Sequence, residues 1–188
     1  MNWVLPGTVI EAKREDADRA QELFQSMFLP GGMVLGQVSN LSGLEPYMIQ
    51  NWVKRGFLSP PKGKRYTLRQ LCRILNINML RGALPMEKIC GLLTYVNGQL
   101  NDESDDLIDD SELYFMFVRL AVRAKALDDP ESCRQALDQI LASYLEPVPG
   151  ARERIEKVLR VMLTAWISTR MKQEAEKMLA EMEQDSPV

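Results

Sequence analysis

Histidine is absent from this chain of 188 residues, which removes the commonest general base and the commonest metal ligand at once. Only three cysteines occur, Cys72, Cys90 and Cys133. Their odd number and wide separation fit neither a disulfide framework nor the paired spacing of a zinc site, and each is expected as a buried structural thiol in a helix. Long apolar runs are missing too, and none approaches the ~20 residues needed to cross a bilayer. The opening Met1-Asn2-Trp3-Val4-Leu5-Pro6 lacks the basic-then-apolar plan of a secretion signal, so a reducing cytoplasm is the expected compartment. There is no Gly-rich phosphate loop and no nucleophile elbow. These gaps argue against an enzyme and name no catalytic residue, metal or cofactor.

What is present describes a globular protein. Hydrophobic residues make up 46% and charged residues 26%, enough for one core or two small ones. The net charge of -3 conceals a division along the chain. From Leu41 to Gly82 there are eight Lys/Arg (Lys54, Arg55, Lys62, Lys64, Arg65, Arg69, Arg73, Arg81) against Glu45 alone. From Asn101 to Glu112 there are seven Asp/Glu and no basic residue. A basic segment beside an acidic one points to an anionic partner for the former.

Periodicity divides the chain further. Residues 8–28 carry Ile10, Ala17, Ala20, Phe24 and Met27 at helical spacing, with Lys13 interrupting the stripe, and Pro30-Gly31-Gly32 breaks the chain after it. A short helix from Val34 to Leu41 follows, then the turn Ser42-Gly43-Leu44. A second helix opens on Pro46, turns Ile49, Trp52 and Val53 inward, and ends at Gly56. Two short helices joined by a glycine-containing turn are the helix-turn-helix plan. Phe57 to Tyr66 then forms a basic loop or hairpin, with Lys62-Gly63 suited to a reversal. Thr67 and Gln70 make a capping box for a helix reaching about Leu80, and Pro85-Met86-Glu87 starts the next.

The acidic stretch 101–110 lacks the central glycine of a calcium loop, and Asp109 with Glu112 reads as an acidic cap. Shielding of the basic surface is a further role open to these acids. Three helices are expected at about 111–127, 130–145 and 151–183. Their stripes are Leu113, Phe117, Leu120 and Ala124; Ala136, Ile140 and Tyr144; and Ile155, Leu159, Met162 and Trp166, with a bend or end near Arg170-Met171-Lys172.

Taken in order, Ser42-Gly43-Leu44, Pro46, Ile49, Arg55-Gly56-Phe57-Leu58, Pro60-Pro61, Arg65-Tyr66 and Leu84-Pro85-Met86-Glu87-Lys88-Ile89 resemble the MerR family of bacterial regulators. The resemblance covers residues 34–93, about a third of the chain. It implies a winged helix-turn-helix in which the second helix enters the major groove and the wing grips the phosphates. Gln50, Asn51 and Trp52 stand where MerR relatives usually carry an arginine and paired aromatics, and the family's effector chemistry does not carry over. The whole chain also resembles an uncharacterised bacterial family, a domain of unknown function, through Ile49-Gln50-Asn51-Trp52-Val53, Arg65-Tyr66 and Tyr95-Val96-Asn97-Gly98.

The sequence therefore predicts an all-α protein. Residues 1–32 form an N-terminal helix and linker, 33–99 a MerR-like winged helix-turn-helix, and 100–188 an acidic connector with a C-terminal helical bundle. The expected partner is double-stranded DNA. Tyr47, Met48, Gln50, Asn51, Lys54 and Arg55 would face outward from the second helix. Gln50 and Asn51 would read bases, Tyr47 would join them on the DNA-binding face, and Lys54, Arg55, Lys62, Lys64, Arg65 and Arg69 would meet phosphates. Arg69 in a first helical turn opposes the helix dipole, a conflict that a nearby phosphate would relieve. The C-terminal helices would serve homodimerisation or the sensing of a small-molecule effector. The rival reading is an interaction module that keeps the fold without binding DNA.

Overall fold

The computed structural model describes residues 2–29, 31–100, 102, 104–123 and 130–185. The expected break at Pro30, the stripe position Ala124 and the helix end at Leu127 lie outside the described residues. The architecture is predominantly helical, as expected, with two small two-stranded sheets added.

The first correction falls at the N-terminus. In place of one helix over 8–28 there is a hairpin, β1 (Asn2–Val4) against β2 (Glu11–Lys13), with Trp3 opposite Ala12. A 3-10 segment covers Arg14–Arg19, and only Ala20–Met27 is α-helix (α1). The cause is local. Gly7 takes φ +72, and the Thr8 hydroxyl donates to Leu5 O while accepting from Ile10 N–H, both at 3.0 Å. Such side-chain bonds offer the backbone an alternative to helix. Lys13, awkward in a helical stripe, is at ease in the extended strand.

The next elements follow the expected order. β3 (Met33–Val34) leads into α2 (Leu35–Ser42), where Gln37 accepts from the Val34 N–H. Gly43 ends α2 with φ +69. α3 (Pro46–Lys54) starts on its proline and ends in a Schellman motif, Phe57 N–H reaching Trp52 O and Gly56 N–H reaching Val53 O. β4 (Arg65–Tyr66) pairs antiparallel with β3. α4 (Leu68–Leu80) opens on the expected capping box: Thr67 Oγ1 accepts from Gln70 N–H, and Gln70 Oε1 from Thr67 N–H. α5 spans Met86–Asn97.

α6 (Asp110–Arg123) differs from the amphipathic helix expected. Every residue from Leu113 to Val118 is buried, so it is apolar all round and forms the centre of the molecule. It packs most extensively on α4, itself nearly wholly buried. Phe24 of α1 meets Tyr114 and Phe115 at 5.8 and 5.6 Å between centroids, and the Tyr114 hydroxyl donates to Pro6 O. One continuous core runs from Trp3 to Ala165 and draws on all three expected segments.

α7 (Pro130–Ile140) is shorter than expected; a 3-10 turn over Leu141–Ser143 follows, and Tyr144 is extended, donating to Leu107 O at 2.5 Å. α8 (Ala151–Asp185) shows no break near Arg170. The apolar pattern fades there because the helix leaves the core. Residues 170–183 are exposed, and the Lys172–Glu176 and Lys177–Glu181 pairs, both at 3.8 Å, support them. Among the described residues no helix is long and apolar enough to cross a membrane.

Candidate nucleic-acid interface

The rotation of α3 is fixed by Ile49 and Trp52, both buried, with Val53 and Met48 packed half-buried beside them. This leaves Tyr47, Gln50, Asn51 and Lys54 exposed at the spacing i, i+3, i+4, i+7, a single helical face. Tyr47 is 67% exposed, an unusual placement for an aromatic ring with core within reach. The expected outward set is met except at Met48. Two amides, a phenol and an ammonium thus share one surface, offering paired donors and acceptors beside a cation.

The α2–α3 turn is held rigidly. Ser39 Oγ donates to Leu44 O (2.6 Å) and Ser42 Oγ to Val38 O (2.7 Å). Asn78 of α4 donates to both Ser42 O and Gly7 O at 2.9 Å, tying the turn to the N-terminal hairpin loop.

The basic loop is a tight reversal at Lys62-Gly63-Lys64-Arg65. Arg65 N–H donates to Lys62 O at 3.0 Å, and Gly63 and Lys64 take φ +55 and +62, as in a type I′ turn. Lys64 is the one non-glycine with positive φ among the described residues. Lys62, Lys64 and Arg65 are all exposed. The base of the loop is anchored where Gln70 Nε2 donates to Ser59 O, Ser59 Oγ and Pro60 O within 3.1 Å, and Arg65 donates to Gly32 O at 2.8 Å.

Two expected phosphate-binding residues are engaged inside the chain. Arg55 pairs with Glu87 at 3.2 Å and lies over the Phe57 ring, though it remains exposed. Arg69 stands further apart from the others. Its side chain is 20% exposed and reaches Asp106 at 2.6 Å, Asp109 at 3.5 Å and Asp110 at 3.9 Å. The anion that relieves its conflict with the α4 dipole belongs to the chain itself.

The residues that sequence reasoning missed lie beneath. Arg73 is buried, donates through Nε to Phe57 O at 3.0 Å, and pairs with Asp110 at 3.3 Å. Asn76 donates to Asp110 O at 3.2 Å. Burial pushes the Asp110 carboxyl above its ordinary range, with Arg73 and then Arg69 pulling the other way. Asp106 is raised for the same first reason. Asp109 accepts from Ser111 N–H at 2.7 Å, as a cap should. Among the described residues, the acids of the connector therefore close over the α4 arginines and not over the Lys62–Arg65 turn. Of the cysteines, Cys72 is buried, while Cys90 and Cys133 are half-buried; all three are free, and burial raises each thiol. Among the described residues no group of three or more Cys, Asp or Glu is placed to hold a metal.

Residues 32–117 match a family described as a domain of unknown function, DUF1836. Over 123 residues, 63% of this chain, the sequence is 28% identical to an uncharacterised protein of Bacillus subtilis (strain 168), YkrK. The match covers 45% of that protein, so the chain spans under half of its relative's length. No solved structure matches. The chain is thus similar to a bacterial family of unknown function.

Proposed function

We propose that this chain is a non-enzymatic, DNA-binding regulator that uses α2 and α3 as a MerR-like helix-turn-helix and the Lys62–Arg65 turn as its wing. One observation carries the reading. α3 presents Tyr47, Gln50, Asn51 and Lys54 on one exposed face of a helix whose preceding turn is rigidly held. Gln and Asn can pair bidentately with adenine N6 and N7, and the nearby cations suit phosphates. Lys54, Lys62, Lys64 and Arg65 form the outer grip, with Arg55 joining on release from Glu87. Arg69 joins only if the connector lets it go. Three free thiols suit a reducing cytoplasm.

Homodimerisation belongs to the same reading. Met171, Ala175, Met178 and Met182 recur at three- and four-residue spacing along the exposed half of α8, a coiled-coil seam for a second copy. Two copies would read half-sites about 34–36 Å apart or a multiple of that.

The internal pairing of Arg55 and Arg69 favours the second reading, an interaction module with the same fold and no DNA partner. Fluorescence anisotropy of the full chain against a pool of genomic duplexes, titrated with salt, separates the two. Tight, salt-sensitive binding that enriches particular fragments is expected. A folded protein that binds no duplex at low salt would establish the interaction module in its place.

A further inference from the structure

Behind the α2–α3 turn, the N-terminal hairpin loop, the end of α4 and the middle of α8 enclose an open cavity of about 760 Å³. Trp3 and Trp166 line it, with Arg14, Arg81, Arg170 and Gln173, and among the described residues no Asp or Glu is part of its wall. The two indoles stand edge to face at 6.4 Å. Trp3 is buried, and its indole N–H has no acceptor among the described residues. Arg81 donates to Asn78 at 2.8 Å, and Arg170 lies 4.8 Å over the Trp166 ring.

The charges of its wall are of one sign. Arg19, Arg55, Arg69, Arg73, Arg123, Arg152 and Arg160 each pair with a carboxylate. Arg14, Arg81 and Arg170, like Arg65, Arg119, Arg134 and Arg154, form no ion pair among the described residues, and Arg14, Arg81 and Arg170 converge on one concavity from positions far apart in sequence. A cleft lined by one sign of charge focuses an attractive potential on anions. Its volume falls in the range of small-molecule sites, about 300–1,000 Å³. The indoles supply flat apolar surface to set against a ring. The floor is pre-formed, since Asn78 already holds the Gly7 and Ser42 carbonyls.

We propose that this cleft binds a small anion carrying an aromatic ring, the ring lying against Trp3 and Trp166 and its phosphate or carboxylate meeting Arg14, Arg81 and Arg170. Ser42 and Gly43 also line the cavity, so the occupant touches the turn that leads into α3. The site stands independently of DNA binding, and its test contains no DNA.

Isothermal titration of the full chain, with tryptophan fluorescence in parallel, uses four probes. Adenosine 5′-monophosphate and benzoate join a ring to a charge; adenosine and inorganic phosphate each supply one part alone. Saturable binding of a ring-bearing anion is expected, about tenfold or more tighter than either part. Whether the monophosphate or benzoate binds assigns the head group. An R14Q/R170Q double variant, which removes exposed side chains outside every ion pair, should keep its circular dichroism and weaken binding about tenfold or more. Three results would each overturn the proposal: no saturable binding of either ring-bearing anion, equal binding of phosphate or adenosine alone, or an unchanged affinity in a folded double variant.

Discussion

Arg73 and Asp110 lie 37 residues apart in the chain and 3.3 Å apart in space, each almost wholly shielded from water. Removing one partner of such a pair strands the other charge in the interior. Asp110→Ala is expected to lower unfolding free energy by about 3–5 kcal/mol, read from urea titration. A loss no larger than that of an exposed pair would show that Arg73 is satisfied by the Phe57 carbonyl alone.

The same carboxyl sets a pH dependence. Burial holds Asp110 above its ordinary 3.8, so the folded chain keeps this proton longer than the unfolded chain does. Its contribution to stability is greatest on the acid side of the ordinary value and declines as pH climbs through the raised one. Asp110→Asn has no proton to lose. The stability of wild type relative to this variant should therefore fall as pH rises from about 4 toward neutrality. A wild-type advantage growing with pH over that interval would mean that the ion pair outweighs burial.

On the proposed DNA surface, two variants should separate. Neutralising Lys62, Lys64 and Arg65 together should weaken every duplex alike and reduce the salt slope by about 0.9 for each phosphate left without its cation. Gln50→Ala or Asn51→Ala should instead relax sequence preference, at ~1–3 kcal/mol for each bidentate pair removed. Identical salt slopes in the wing variant and the wild type would remove the wing from the interface.

Gly7 is a packing test. A Cβ there would lie 2.4 Å from the Leu75 carbonyl oxygen, on a backbone already at φ +72. Gly7→Ala should lower the unfolding free energy by about 1–3 kcal/mol from overpacking alone, read in urea titration as an earlier midpoint. A neutral result would show that the hairpin loop shifts off α4 at little cost.

Met171→Glu with Met178→Glu tests the exposed half of α8. The pair should leave the thermal transition of the body nearly unchanged, since neither side chain is buried in it. In sedimentation, the wild type should be a dimer and the variant a monomer. A variant that stays dimeric places the interface elsewhere.

Much of the candidate surface is readable in the sequence because buried residues fix what remains outside. Once Ile49 and Trp52 are turned inward, the outward set of α3 follows by geometry, and Pro46, Gly56, Thr67 and Gln70 mark ends through local chemistry. The N-terminal hairpin is hidden because Ile10, Ala17 and Phe24 mimic a helical period by chance, while the Thr8 hydroxyl decides the backbone. α6 reads as amphipathic because acids and arginines at its two ends suggest a wet face its middle lacks. Arg73 and Asp110 each belong to a segment whose other charges are nearly all of the same sign, which reads as solvated surface. The cavity draws on positions 3, 14, 81, 166 and 170, which no local window joins.

The burial of α6 among the other helices bears on how the protein can be taken apart. A fragment ending near residue 99 would keep α2, α3 and the basic turn yet lose the helix that covers α4. Arg73 would be parted from Asp110 in the same cut, and the apolar side of α4 would face water. Such a fragment should collapse loosely and aggregate, and its silence in a binding assay would report an absence of autonomy, not of affinity. The segments named from the sequence share one core and are expected to melt together.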